Sequence, residues 1–497
     1  MQAWPWLRGY PMKHILIAFA LVWTAAAAIG EPDRQNVLFI ITDDLNCNLG
    51  AYDHPVVQTP EIDRLAHEGV TFLNAFSNFP QCGQSRASFM TGLYPRQTGV
   101  MHHQQRFREY LPDVTTIPQH FMAHGYTAAR VGKLYHYDNP RDIGTDGHDD
   151  IPSWETRVNP RGIDKDIEPE IITLEAGKYG GTMSWLAGPG EDEDHTDGMV
   201  ATESIKLLRQ YAKTKQPFFL GVGFYKPHTP YVAPAKYWEL YDRDSIDVPT
   251  VPEGYLDTLP PYAQKSLTRV KNQIDLPHAV AQEAIQAYYA TITFMDAQVG
   301  RIMAALRETG LDQNTIVVFT SDHGYHMGEH GYYQKRTLFE HSARIPLIVR
   351  APGVTPAGKR SSSIVEMIDF YYTLADLAGI PEPPDYVLGR SMRPVLKNPD
   401  EAFRRDALMR HEFGYSLRTP HFRYMLWDDD EIELYDHRSD PEEMNNLAQD
   451  PHYAEVRGIL RRRIAVRIRE AEIPAKGLHF IPPHPDDRGR PIELSVP

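Results

Sequence analysis

Val37-Leu38-Phe39-Ile40-Ile41-Thr42 is a continuous apolar, β-branched run that stops at two carboxylates, Asp43-Asp44. A strand with one face in water alternates apolar and polar residues, so an unbroken run marks a strand buried on both faces, as in a parallel sheet. Downstream, Thr59-Pro60-Glu61-Ile62 reads as N-cap, first-turn proline and acidic first turn of a helix that stops at Gly69, and a second strand begins at Val70. Similar runs predict buried strands over 127–131, 218–222, 316–320 and 346–349. Between them Ile285, Tyr288, Ile292, Met295, Val299, Ile302 and Leu306 recur every three or four residues before Gly310, which predicts a long helix. Strands alternating with helices predict an α/β fold built on a large mixed, mostly parallel sheet flanked by helices.

Residues 138–197 are rich in Gly, Pro, Asp and Glu and show little period, so they read as an insertion over one end of the sheet that shapes a pocket. Breaks at Pro381-Glu382-Pro383-Pro384 and Lys397-Asn398-Pro399-Asp400 separate a main α/β domain, 31–397, from a smaller C-terminal α+β subdomain, 398–497. In the latter, Arg423-Tyr424-Met425-Leu426-Trp427 and Glu433-Leu434-Tyr435 pair as a hairpin around Asp428-Asp429-Asp430, and a basic helix follows over 451–470. At the other end, Arg8, Lys13 and His14 precede an apolar run over 15–28 with small residues at Ala26, Ala28 and Gly30, so 1–30 reads as a signal peptide. The run is shorter than the roughly 20 residues a spanning helix needs, so the expectation is export to the periplasm or medium with no membrane anchor after cleavage.

The 497 residues are 42% apolar and 24% charged, with 34 Gly and 40 Pro, which suits a globular protein and excludes disorder, collagen and coiled coil. Lys plus Arg is 51 against 66 for Asp plus Glu; the net charge of −15, two units more negative once 1–28 are removed, argues against nucleic acid or an anionic membrane as partner. With only Cys47 and Cys82 there is neither a disulfide framework nor a thiolate-rich zinc site.

In an open α/β sheet the ligand crevice lies at the carboxyl ends of the strands. Four polar clusters fall there: Asp43 and Asp44, Lys133 and His136, Lys226 and His228, and Asp322 and His323. Three carboxylates at one edge call for a hard cation, Ca²⁺ or Mg²⁺ rather than Zn²⁺. Tyr325 and His330 lie just beyond Asp322, and the adjacent His102 and His103 sit in a loop that could reach a ligand. Cys82 stands where a helix would begin, which suits either a buried or a reactive thiol.

Around that cysteine, Cys82-Gly83-Gln84-Ser85-Arg86 with Thr91-Gly92 resembles the C-x-P-S-R signature of the type I, formylglycine-dependent sulfatase family, departing from it at Gln84. Asp43-Asp44, Gly132-Lys133-Leu134-Tyr135-His136, Lys226-Pro227-His228-Thr229-Pro230, Ser321-Asp322-His323-Gly324, Gly328-Glu329-His330-Gly331 with Lys335, and Glu433-Leu434-Tyr435-Asp436 follow the same family's motifs in order, most like its iduronate-2-sulfatase branch. The resemblance implies an alkaline-phosphatase-like fold and a formylglycine made from Cys82 by a maturation enzyme. It also implies one Ca²⁺ held by Asp43, Asp44, residue 82, Asp322 and His323. The implied reaction removes sulfate from a saccharide, such as a 2-O-sulfated uronic acid. The hydrated aldehyde attacks sulfur, His228 protonates the departing sugar oxygen, Lys133 and Lys335 neutralise the sulfuryl oxygens, His136 takes the proton that lets sulfate leave, and Arg86 orients residue 82. Lys226, Tyr325, His330 and His102 are the expected sugar contacts. A small positive mouth in a negative surface implies action at a chain end. Two competing readings are a phosphodiesterase or phosphonate monoester hydrolase of the same superfamily, and a glycan-binding pseudoenzyme left unmatured because of Gln84.

Overall fold

The apolar run forms the central strand of an eight-stranded sheet in a computed structural model that describes residues 34–482. The expected signal segment lies outside the described residues. The strands are β1 Asn36–Asp43, β2 Val70–Phe76, β3 Thr127–Gly132, β4 Thr156–Val158, β5 Phe218–Pro227, β6 Thr315–Ser321, β7 Arg344–Arg350 and β8 Lys359–Glu366, in spatial order β8-β2-β7-β6-β1-β5-β3-β4. Among the described residues β7 alone runs against the rest.

Every residue of β1 is buried. Leu38 and Ile40 face one core, and Val37, Phe39 and Ile41 face the other. Each such side chain contributes about 1.5–3 kcal/mol by leaving water. The first core is closed by α1 Pro60–Glu68, α3 Thr196–Thr214 and α4 His278–Glu308, and the second by α2 Cys82–Thr91 and α5 Phe370–Ala378. A four-stranded antiparallel meander follows, β9 Ala407–His411, β10 Gly414–Arg418, β11 Phe422–Trp427 and β12 Ile432–Asp436, with α6 Ala454–Glu472 packed on it.

Three details depart from the sequence reading. Thr59 does not cap α1 with its side chain: its hydroxyl donates to Asp63 and accepts from the Gly50 N–H, while the buried Asp296 carboxylate accepts from the N–H groups of Glu61 and Ile62. β8 escaped the pattern because Lys359-Arg360-Ser361-Ser362-Ser363 is a polar edge with no apolar run. The insertion over 138–197, whose sequence shows little period, nevertheless supplies β4 and the strand Ser184–Gly188, which pairs with Tyr231–Pro234.

Register then decides what meets. Asp43 lies opposite Pro227, Thr42 opposite Ser321, and Gly132 opposite Gly223, so Asp43, Lys133, His228 and Asp322 leave their strands at one edge. Gly132 is required there: its φ is +75°, and a Cβ would lie 2.2 Å from the Gly223 carbonyl oxygen.

Candidate active site

Helix α2 begins at Cys82 and is buried along its whole length, so its N-terminus is thrust into the strand ends rather than into solvent. Ser85 Oγ donates to the Asp322 carbonyl at 2.5 Å and pins the first turn to β6. Arg86 turns back under residue 82: Nε donates to Asp322 Oδ2 at 2.9 Å, Nη1 to the carbonyls of Lys133 (2.7 Å) and Leu134 (3.1 Å), and Nη2 to the Thr42 carbonyl at 3.2 Å. Its donors are spent on the protein, so it holds the strand ends together around residue 82.

Around the Cys82 sulfur stand His323 Nε2 at 3.2 Å, Lys335 Nζ at 3.4 Å and Asp44 Oδ1 at 4.0 Å. Lys335 Nζ also lies 2.5 Å from Asp44 Oδ1, Lys133 Nζ is 2.5 Å from Asp43 Oδ2, and His228 Nε2 is 3.6 Å from Asp44 Oδ2. Burial would raise the Asp43 carboxyl, but Lys133, His228, Arg86 and Lys335 hold it well below the usual range. Asp44 is different: burial, reinforced by Asp43 and Cys82 and opposed by Lys335, pushes it up to about 7. Against burial, Asp322, Cys82 and Asp44 push His323 up to about 9. Burial, then Lys335, drives His228 well below an ordinary imidazole.

These residues fit a divalent cation. Asp43, Cys82, Asp322 and His323 place donor atoms within 4.8 Å of one another, as do Asp44, Cys82 and His228. The Oδ2 of Asp44 is buried with no hydrogen-bond partner, so a ligand position there is unfilled by protein. Three carboxylates and one imidazole form a donor set for a hard ion. Glu340, His437 and Glu443 also converge, but Arg418 and Arg423 occupy those carboxylates, so that cluster is a structural ion-pair network.

Not every expected residue is brought in. Lys226 Nζ donates to the Pro230 carbonyl at 2.8 Å, at the base of the loop that carries His228. Tyr325 is fully buried behind Asp44, stacked on Tyr288 with its hydroxyl on the Tyr333 carbonyl. His330 stacks on Phe339 and bonds Tyr255, inside a core. His136 sits one layer out, its Nε2 3.1 Å from Asp138 Oδ1 and its ring against His103 and His148. His102 sits half-buried in the same loop as His103, near Glu412, whose carboxyl, against its burial, is lowered by Arg269 and Arg336.

The sequence reading overlooked the support of that loop. Gln84, at the family's proline position, donates to Gln81 Oε1 (3.0 Å) and the Met101 carbonyl (2.8 Å), and Gln81 Nε2 lies 3.4 Å from His103 Nδ1. Glutamine in place of a proline was the visible signal. A cavity of about 190 Å³ opens beside α2, lined by Gly83, Ala87, Phe107, Tyr135, His136 and His148, so the 138–197 insertion contributes one wall.

The profile of the Sulfatase family matches residues 35–380, and that of the N-sulphoglucosamine sulphohydrolase C-terminal region matches 328–470. A sulfatase of Formosa agariphila is 33% identical over 84% of each chain, and iduronate 2-sulfatase of Mus musculus is 29% identical over 86% of this chain and 94% of its own. A solved enzyme bound to its substrate D-glucosamine-2-N,6-O-disulfate superposes with a TM-score of 0.70 at 22% identity, covering 89% of this chain and all of the other. A phosphonate monoester hydrolase from Silicibacter pomeroyi superposes with a TM-score of 0.73 at 24% identity, covering 88% and 96%.

Proposed function

The chain belongs to the sulfatase family, and from that premise we propose that this sulfuric ester hydrolase removes sulfate from a saccharide carrying a 2-O-sulfated uronic acid, through a formylglycine made from Cys82 and one bound Ca²⁺. The observation that carries the reading is the buried sulfur of Cys82, set at a helix start among His323, Lys335 and Asp44. Asp43, Asp44, Asp322, His323 and residue 82 would hold the cation. When present, the two groups supply an oxygen nucleophile with a second hydroxyl for sulfate release, and a counter-charge for anionic oxygen.

The chain's own residues account for the rest. Lys335 stays charged because Asp44, Cys82 and Asp43 outweigh its burial, and with Lys133 it meets the sulfuryl oxygens. His228 bonds the Thr229 carbonyl through Nδ1 at 2.5 Å, which leaves Nε2 for the sugar oxygen. Burial and Lys335 keep it neutral in the free protein; an arriving sulfate monoanion opposes that field, so Nε2 gains its proton as substrate binds. His136, with Asp138 Oδ1 3.1 Å from its Nε2, takes the proton that lets sulfate leave.

Among the described residues no helix is long and apolar enough to cross a membrane, and we place the mature protein in the periplasm or medium, matured there or before export by a formylglycine-generating enzyme. The test is sulfate release from sulfated uronate oligosaccharides set against phosphate diesters and phosphonate monoesters, together with the mass of the residue-82 peptide. An aldehyde at residue 82 with sulfate release, abolished in Cys82→Ala, is expected. Faster turnover of the phosphorus substrates would favour the hydrolase alternative, and an intact thiol with no turnover would favour the pseudoenzyme.

A further inference from the structure

We propose that Arg336 forms a subsite for a second oxyanion on the substrate sugar, beside the sulfate being removed. The proposal rests on the sulfatase reading above. Arg336 directly follows Lys335, whose ammonium lies 3.4 Å from the Cys82 sulfur. Its backbone is left-handed, φ +71°, a region that arginine enters only under constraint. Two bonds impose it: the Arg336 N–H donates to the Pro80 carbonyl at 3.2 Å, and the Arg336 carbonyl accepts from His411 Nε2 at 2.9 Å. Pro80 lies two residues before Cys82, so the bend ties Arg336 to the segment that delivers the nucleophile.

The guanidinium is under-neutralised. Its Nη2 reaches Glu412 at 3.3 Å, but Glu412 is already held by Arg269 at 2.6 Å, so two arginines share one carboxylate. The Arg336 Nε is buried and has no hydrogen-bond partner. Burial and Arg269 push the Arg336 guanidinium down to about 10, which leaves it charged at neutral pH and short of counter-charge. Cys82 is buried, and side-chain exposure rises from 10% at Lys335 through 18% at Arg336 and 26% at Glu412 to 34% at Arg269, so solvent lies on the Arg336 side of Lys335. A sugar whose sulfate sits at residue 82 and whose body points to solvent on that side meets Arg336. A guanidinium fork pairs two oxygens of a carboxylate or of a sulfate, so the ligand is a second oxyanion, either a uronic carboxylate or another sulfate.

The experiment compares kcat and KM for a methyl 2-O-sulfo-uronoside, its carboxyl-reduced alcohol and a disulfated neutral hexoside. Wild type should prefer the uronoside over the alcohol roughly 10- to 100-fold, mainly through KM, and Arg336→Asn should shrink that preference to about twofold or less. Asparagine suits the left-handed backbone, so this variant keeps the bend, and Arg336→Lys should recover part of the preference. A disulfated hexoside that matches the uronoside would make a second sulfate an equal ligand; one that matches the alcohol would make the subsite a carboxylate site. A preference unchanged in Arg336→Asn, or an equal slowing of all three substrates, would overturn the proposal. If no sulfate is released at all, calorimetric binding of the same compounds to Cys82→Ala decides: a Kd preference abolished by Arg336→Asn upholds the subsite and counts only against the sulfatase reading, whereas no preference overturns the subsite.

Discussion

The unpaired Oδ2 of Asp44 is the atom most out of balance in the site, since a buried acceptor without a partner costs about 1–3 kcal/mol. Asp43 and Asp322 bring oxygens within 4.8 Å of each other with Asp44 nearby, and Lys133, Lys335 and Arg86 each already hold one of the three, so a divalent ion would relieve only the repulsion those cations leave. Calcium added to chelator-treated protein should therefore raise Tm by about 3–5 °C at a hundredfold excess over Kd. Asp322→Asn should abolish most of that shift and lower kcat by at least about a hundredfold. An unchanged calcium shift in the variant, read by scanning fluorimetry, would remove Asp322 from the ligand set. Gln84→Pro tests the other unusual residue: it deletes the bonds to Gln81 and Met101 and should cost about 1–2 kcal/mol in denaturant unfolding. The aldehyde fraction at residue 82 should hold or rise; a large fall would mean that maturation reads the glutamine.

Where α3 meets the end of β5, the Asp197 carboxylate accepts from the N–H groups of Tyr225 and Lys226, both at 2.9 Å. With Lys226 on the Pro230 carbonyl, the helix start and the strand end clamp the loop that presents His228. Asp197→Ala leaves two buried donors unmade and should cost about 2–4 kcal/mol while lowering kcat; Asp197→Asn, which keeps one acceptor, should lose less. Wild-type stability and turnover in Asp197→Ala would show that the loop holds itself.

Across the molecule, His341 joins the loop after β6 to the segment after β12, with Nε2 2.8 Å from Glu442 and Nδ1 3.6 Å from Glu329. Burial opposes its charge, but Glu329 and Glu442 push the imidazole up to about 9. Because the folded value exceeds the unfolded one, the stabilisation is complete below about pH 6.5 and fades as pH rises through 9. At pH 7 His341→Gln should cost about 1–2 kcal/mol, shrinking toward zero by about pH 10. A pH-independent difference in unfolding midpoint would assign the loss to packing instead. The negative surface carries its own prediction: moderate salt should speed long polyanionic substrates more than monosaccharide sulfates, because screening acts over about 8 Å.

Local order along the chain made the sheet legible, and with it the residues that gather at its edge. Val37 to Asp44 reads as a strand buried on both faces, and parallel strands joined by crossovers bring their carboxyl ends together, so Asp43, Asp44, Lys133, His228 and Asp322 were legible as one group from the sequence. Cys82 to Arg86 marked the helix start among them. Folding in three dimensions settled which way the loop side chains point. Left-handed bends at His330 and Arg336 send the first into a core and the second toward Glu412, while a hydrogen bond to the Pro230 carbonyl turns Lys226 onto its own loop. No periodicity encodes such single-residue turns, because each is imposed by contacts with residues far away in sequence, as the Pro80 and His411 bonds impose the bend at Arg336.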